Sequence, residues 1–370
     1  MSVLFEPLQL RSVTLPNRIV LSPMCQYSAV DGVPNNWHRI HLGRYATAGL
    51  GLIIAEATHV SAQGRITPGC VGLYNAVQEA AFAGIAADVK QFGPSPFGIQ
   101  LAHAGRKASA DLPWRGGHAL QGPLAWPTVA PSAIPHDAGW HTPTELDEEG
   151  LDAIKRDFVS ATQRADRAGV DLIELHGAHG YLLHQFVSPV SNKRKDGYGG
   201  SLDNRLRFPL EVFEAVRAAW PAHKPLGMRI TGSDWVGSEG LGIEDGIRMA
   251  AKLKERGADF VDVSSGGVAA GQKITTGPGY QVHFAEAVKK ATGLVTMAVG
   301  MISEADQAEA IVKEGRADLV AMARALLHDP YWAWHAADRL HGEVHVVPQY
   351  LRGRVRGVDT PREVQLKAAR

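Results

Sequence analysis

Four stretches of the chain share one grammar and decide its fold: AGLGLIIAEA (48–57), AGVDLIELHG (168–177), RGADFVDVSSGG (256–267) and GRADLVAMARA (315–325). Each has a Gly where a helix should stop, because Gly tolerates the left-handed conformation that ends helices. A small or acidic residue follows, then an apolar run that reads as a strand buried on both faces of a parallel sheet. Three more runs fit between these: NRIVLSPM (17–24), PFGIQLAH (96–103) and LGMRIT (226–231). LVTMAVG (294–300) makes the eighth. Amphipathic segments alternate with them. AVQEAAFAGIAADVKQF (76–92), LDEEGLDAIKRDFVSATQRADRA (146–168) and IEDGIRMAAKLKERG (243–257) carry apolar residues at helical spacing and charges on the other face. Asp203, Glu244 and Ser303 stand where N-caps or first-turn acids are expected. Eight strand–helix alternations predict an α/β fold, a closed (β/α)₈ TIM barrel, rather than an open sheet. No G-x-G-x-x-G follows the first strand, which argues against a Rossmann domain. One domain is expected over 1–356, with a polar C-terminal tail over 357–370. The segment 104–146, rich in Gly, Pro, Trp and His, breaks the alternation after strand three and is expected to be a long lid loop.

The 370 residues contain 38 Lys plus Arg and 38 Asp plus Glu, so the formal net charge is zero. A nucleic-acid binder usually carries a basic excess, so no nucleic-acid partner is expected. A hydrophobic fraction of 45% is that of an ordinary globular chain. The two cysteines, Cys25 and Cys70, cannot build a disulfide scaffold, a four-cysteine zinc site or a four-cysteine iron–sulfur cluster. The opening MSVLFEPLQLRSVTLPNR lacks a charged-then-apolar signal pattern, and runs such as LGLIIAEA are too short to span a bilayer. A soluble, cytoplasmic protein with no membrane partner is expected.

In a barrel, chemistry gathers where the strands end. Strand one delivers Ser22, Pro23, Met24 and Cys25, then Tyr27; strand two delivers Glu56 and Ala57; strand three delivers Gln100 and His103. Strand four delivers His176, His179 and Tyr181, strand five Arg229, strand six Ser264, strand seven Gly300, and strand eight Ala323 and Arg324. The set H-G-A-H-G-Y (176–181) is the most informative. Two His three apart, with His103 or His184 as a third ligand, would suit zinc. Glycines beside His179 favour a tight turn over the helix such a site needs. The other reading is a pair of donors to an anionic or carbonyl oxygen, with Tyr181 as a proton donor nearby. Arg229 ends an apolar strand, so it must meet either a structural counter-charge or an anionic ligand. AVGMI (298–302) and ARA (323–325) stand where barrels commonly hold a phosphate. Cys25 is either a small buried hydrophobe or a member of the site. No role is assigned to Cys70.

Read together, these residues resemble the old yellow enzyme family of flavin-dependent ene-reductases, from about residue 3 to 353. The match runs through LFEPLQLRSVTLPNRIVLSPMCQYSA, EATHVSAQGRITPGCVGL, IQLAHAGRKAS and, most specifically, DLIELHGAHGYLLHQFVSPVSNKRKDGYGGSLDNRLRF. It continues through AVGMI and ARALLHDP. The Cys25/Tyr27 pair, the H-G-A-H-G-Y form and the ending QYLRG are similar to the short, thermophilic-like branch that includes xenobiotic reductases.

The resemblance implies non-covalent FMN, reduced by NADPH or NADH, and ping-pong reduction of the C=C bond of α,β-unsaturated carbonyl or nitro compounds. Ser22, Pro23, Met24, Cys25, Ala57, Gln100 and Arg229 would contact the flavin ring and its surroundings. Gly300, Ala323 and Arg324 would hold its phosphate. His176 and His179 would bind the substrate's activating oxygen, Tyr181 would protonate the α-carbon, and Tyr27 would line the substrate pocket. No metal is implied. Arg352, beyond the last barrel element, would reach the neighbouring subunit's site in a homodimer or homotetramer. One departure is visible: the phosphate motif reads Ala323-Arg324 where the family usually has Gly-Arg. Two rivals remain. A barrel lyase or aldolase would want a strand-end Lys or a carboxylate metal site, and no strand ends in Lys. A non-catalytic flavin binder would not need the His176/His179/Tyr181 trio.

Overall fold

A computed structural model describes residues 2–353. The expected tail, and the boundary placed at residue 356, lie outside the described residues. All eight predicted strands form. They are β1 (Ile19–Leu21), β2 (Leu52–His59), β3 (Phe97–Ala102), β4 (Leu172–Gly177), β5 (Leu226–Thr231), β6 (Phe260–Ser264), β7 (Val295–Ala298) and β8 (Leu319–Met322). Each pairs in parallel with the next, and β8 pairs with β1, closing the barrel in sequence order. The principal helices are α1 (Asn36–Ala46), α2 (Ala76–Phe92), α3 (Glu148–Arg167), α4 (Leu182–Val187), α5 (Leu202–Ala219), α6 (Ile243–Glu255), α7 (Val282–Thr292), α8 (Ala305–Lys313), α9 (Arg324–His328) and α10 (Trp332–Leu340).

The two faces of each strand serve two cores. Outward residues such as Ile53, Ile173, Leu175, Val261 and Val263 pack under the helices. Inward residues include Leu52, Leu172, Phe260, Met297 and Leu319, which fill the lower barrel. A hairpin of Leu8–Leu10 with Val13–Leu15 plugs that end through Leu10 and Leu15. Its alternating LQLRSVTL pattern carried the signal of a strand pair, which the barrel count passed over. Side chains alternate along a strand, so the inward positions after Leu172 are Glu174 and His176, and those after Phe260 are Asp262 and Ser264. The barrel interior is therefore apolar at its base and polar toward its upper rim.

Asp203 and Glu244 do lie in first helical turns, behind N-caps at Ser201 and Gly242. Ser303 is not a cap; Glu304 takes that position, and the Ser303 amide instead donates to Gln307. The 104–146 segment is not one loop standing clear of the barrel. Ala104–Arg106 and Ala108–Ala110 are buried. Farther on, Val129–Ala130 pairs in parallel with Thr144–Glu145. Trp114 and Leu124 in its middle are strongly exposed. No described helix is long and apolar enough to cross a membrane.

Candidate active site

A cavity of about 410 Å³ opens at the C-terminal rim. His179, Arg229, Ser264, Gly300, Ala323 and Arg324 all line it. Arg229 reaches in two directions at its base. Its Nε lies 3.1 Å from Asp262 Oδ2, and its Nη1 donates to Ser22 Oγ at 3.3 Å. The structural counter-charge expected for Arg229 is thus present, and the same side chain also lines the cavity. Gln100 stands two strands over, on β3, and donates to Glu174 Oε1 on β4 at 2.7 Å. Ala57 is opposite Gln100 in the β2–β3 register, just past a bulge at Ala55/Ala57. Cys25 bonds the Ala57 backbone, so the loop after β1 lies against the end of β2. Pro23 and Met24 are half-buried in that loop, and Met24 packs on the core below.

The β4 turn assembles the trio. His176 lies edge-on to both His179 and Tyr181, with ring centroids 5.1 and 4.9 Å away. His179 has φ of 57°, a left-handed conformation that a non-Gly residue holds only when its surroundings enforce it. Two clamps supply that enforcement. Half-buried Lys107 donates to the carbonyls of His179 (2.8 Å) and Gly267 (3.0 Å), with its ammonium 4.9 Å from the Tyr181 ring centroid. His184 Nδ1 accepts from the Gly180 amide at 2.8 Å while Nε2 pairs with Asp234 at 2.8 Å. Both His184 nitrogens are committed, so it cannot serve as a third zinc ligand without breaking the turn. Among the described residues no group of three His, Cys, Asp or Glu is placed to hold a metal ion.

Burial, and next the Arg229 charge, hold His176 and His179 well below the usual imidazole range, so both are neutral. His176 Nδ1 accepts from the Ala178 amide at 3.3 Å, which leaves the proton on Nε2. Burial pushes the Tyr181 phenol well above its ordinary value of 10.0, so it stays protonated.

Tyr27 also has a positive φ, 52°, and meets Trp114 of the 104–146 segment edge-on at 5.9 Å. Cys70, given no role from sequence, packs with Ile66 and Ala108 in a cluster that Cys25, Tyr27 and Tyr181 join. The Cys25 thiol is pushed up first by its hydrogen bond to Cys70 and then by burial. The Cys70 sulfur accepts from the Thr67 amide at 3.4 Å. Cys70 and Lys107 were invisible as site members because loop contacts bring them in, and no strand end carries them. Gln281, the first residue before α7, is likewise a lining residue that sequence reasoning missed.

At the far end, Gly300 has φ of 120°, and a Cβ there would meet Gln281 at 2.8 Å. Exposed Arg324 and the backbone of Gly300–Ser303 and Ala323–Ala325 face the same space. The cavity thus joins a cationic, backbone-lined end to His179, and His179 stands in ring contact with His176, which in turn meets Tyr181. Arg352 is elsewhere. It is exposed on a 3₁₀ turn, Pro348–Gly353, whose residues adjoin Thr47, Gly93 and Pro94 at the opposite end of the barrel.

A family model described as the NADH:flavin oxidoreductase / NADH oxidase family matches residues 3–343. The chain is 45% identical over 354 residues to an NADPH dehydrogenase of Geobacillus sp. (strain WCH70), covering 95% of this chain and 98% of that one. It is 43% identical over 352 residues to an NADPH dehydrogenase of Bacillus subtilis (strain 168), covering 95% and 98%. Among solved structures, morphinone reductase superposes with a TM-score of 0.78 at 30% identity, covering 93% of this chain and 91% of that one. Morphinone reductase in complex with tetrahydroNAD gives 0.76 at 28%, covering 93% and 92%.

Proposed function

The chain belongs to the NADH:flavin oxidoreductase / NADH oxidase family, and on that premise we propose that it reduces the C=C bond of α,β-unsaturated carbonyl or nitro compounds. It is an NADPH dehydrogenase of the old yellow enzyme type, with FMN as cofactor and a nicotinamide nucleotide as reductant.

The residues present fit FMN. Gly300, Ala323 and Arg324 line one end of the cavity, where a guanidinium and the neighbouring backbone suit a phosphate, and a Cβ at Gly300 would crowd Gln281 beside it. Ala323 adds a methyl group but keeps its backbone N–H. Arg229 would stand by the electron-rich edge of the ring, with Ser22, Gln100, Ala57 and the Pro23–Cys25 loop around it. When bound, FMN would supply the hydride for alkene reduction, with NADPH as the source of its electrons.

The chain's own residues do the rest. His176 Nε2–H and a His179 N–H bind the carbonyl or nitro oxygen and stabilise the charge that develops on it, as an oxyanion hole does. Their neutrality keeps them hydrogen-bond donors that need not give up a proton. Tyr181, protonated at neutral pH, gives its proton to the α-carbon. Tyr27 lines the pocket from the other side, and Trp114 against it makes the middle of the 104–146 segment a cover over the substrate. The same reading makes the protein a cytoplasmic homodimer or homotetramer whose Arg352 enters the neighbouring subunit's pocket.

One observation carries this reading: neutral His176 and His179 and protonated Tyr181 converge at the same barrel rim as Arg229. The test is spectroscopic. The purified protein is expected to be yellow, to bleach with NADPH, and to regain its flavin absorbance on adding cyclohexenone under exclusion of air. Bleaching that no enone or nitroalkene reverses would overturn the alkene-reductase reading.

A further inference from the structure

Below the cavity, the polar layer of the barrel interior holds two carboxyl groups and one cation. Glu174 on β4, Arg229 on β5 and Asp262 on β6 are all buried, at 0%, 6% and 0% exposure. Arg229 and Asp262 are opposite one another in the β5–β6 register, and Glu174 is opposite Gly227, two residues before Arg229. Gln100 on β3 supplies one amide hydrogen bond to Glu174 Oε1. Glu174 Oε2 and both oxygens of Asp262 have no hydrogen-bond donor, and the Arg229 Nε–H is not aligned on the Asp262 oxygen that it approaches.

Two ionised carboxylates would leave this dry layer with net charge −1 and three bare oxygens, an arrangement whose desolvation is costly. One added proton balances it. Asp262, against the guanidinium, is the group that stays ionised. Glu174 has a neutral amide as its one hydrogen-bond partner, and the Arg229 charge acting on it is outweighed by burial and by Asp262, so it is the group that carries the proton. Burial, and next the Asp262 charge, push Glu174 up to about 8. The remaining titratable groups that sense Arg229 are His176 and His179, both neutral; Ser22 faces it from β1 with a hydroxyl.

We propose that Glu174 and Asp262 share a single proton beneath the cavity and act as positioning residues that set how much of the Arg229 charge faces the bound cofactor. This rests on the reading that the cavity holds FMN. With one proton on the pair, the guanidinium is neutralised from below by Asp262 alone. Loss of that proton puts a second negative charge in the layer and weakens the field Arg229 presents to an anionic ring above it.

The test is the flavin midpoint potential against pH for the wild-type holoenzyme, Glu174→Gln and Asp262→Asn, beside their melting temperatures. Glu174→Gln mimics the protonated acid. Its potential is expected to match wild type at pH 6 and to lie above it past pH 8. Asp262→Asn is expected to shift the potential upward throughout, because the guanidinium loses its counter-charge. The melting curves report the pair without reference to electron transfer. A carboxyl raised from 4.5 to about 8 in the folded state binds more protons folded than unfolded between those values, so wild-type stability falls as pH rises through that window. Glu174→Gln lacks this loss, so its melting temperature is expected to gain on wild type from pH 5 to 9. Parallel melting curves, or potentials with the same pH profile in Glu174→Gln and wild type, would overturn the shared proton. A protein that binds no FMN but shows the diverging melting curves would leave the pair standing and remove its role toward the cofactor.

Discussion

Ser264 Oγ lies 2.7 Å from His179 Nε2 and 3.4 Å from Gln281 Oε1. Strand β6 thereby fixes the imidazole that the β4 turn presents. The hydroxyl has one hydrogen: given to Nε2 at 2.7 Å rather than to Gln281 Oε1 at 3.4 Å, it leaves the His179 proton on Nδ1, which can donate elsewhere. Ser264→Ala removes one neutral hydrogen bond, which is worth about 1 kcal/mol or roughly fivefold in affinity. Binding of a phenol, whose phenolate mimics an enolate oxygen, is expected to weaken by about that factor. His176→Ala and His179→Ala each lose a bond to a charged oxygen and are expected to cost about 1.5–3 kcal/mol. Titration followed by the flavin charge-transfer band checks both. Equal binding in Ser264→Ala and wild type would show that the serine does not orient the ring. Both imidazoles are held well below 6.5, so no loss of phenol affinity from His titration is expected between pH 6 and 8.

Tyr181→Phe is expected to leave flavin reduction by NADPH nearly intact and to slow enone reduction. Loss of a general acid is typically worth about 10²–10⁴-fold, and the lower end applies where solvent can deliver the proton. The ring contact with His176 survives the change, because the hydroxyl is not part of it. The phenol is raised well above 10.0, so the oxidative half-reaction is expected to show no alkaline loss from this group up to pH 10. Stopped-flow measurement of the two half-reactions decides; equal slowing of both would remove the proton-donor role.

The barrel was legible because buried parallel strands leave continuous apolar runs and Gly-terminated helices, and all eight runs became strands. The trio was legible by one rule, that residues just past strand ends meet at one rim. Contacts between loops obey no such period. Cys70, Lys107 and Trp114 enter the site through the turns after β2 and β3, where spacing in sequence says nothing about distance in space. Glu174 and Asp262 are a different case. Each is a carboxylate inside an apolar strand, LIELHG and FVDVS, at an inward position level with or one step below Arg229. A charge that an apolar strand tolerates needs a partner, and the partner could have been sought on the adjacent strand.

Cys25 and Cys70 pack in one cluster, and contact between the two thiols is the first cause that raises Cys25. Cys25→Ser is expected to shift the flavin potential and turnover without loss of flavin, since a hydroxyl reproduces only part of a thiol's polarizability and hydrogen bonding. Cys70→Ala removes the neighbour that raises the Cys25 thiol. Cys25 is then expected to alkylate faster with iodoacetamide at pH 8 than in wild type, read by mass spectrometry. An unchanged labelling rate would mean that burial alone sets the thiol. A Cys25→Ser potential and half-reaction rates equal to wild type would reduce Cys25 to packing.

Arg352 stands at the far end of the barrel from its own cavity, on a turn anchored by Tyr350, whose ring lies 6.2 Å from both Tyr331 and Trp334. Nothing in that position lets it line its own chain's pocket, so a role in substrate binding requires a neighbouring subunit. Truncation after residue 347 deletes the turn and the arginine together, and truncation after 356 keeps both. The shorter chain is expected to raise KM for enones, by about 10–100-fold if a charged hydrogen bond of about 1.5–3 kcal/mol is lost; the longer one is not. Arg352→Ala separates the guanidinium from the anchor, because it leaves the Tyr350 stack in place. It is expected to reproduce the KM effect while light scattering still reports an oligomer. A monomer with full activity at working concentration, or an Arg352→Ala oligomer with unchanged KM, would confine this arginine to the solvated surface.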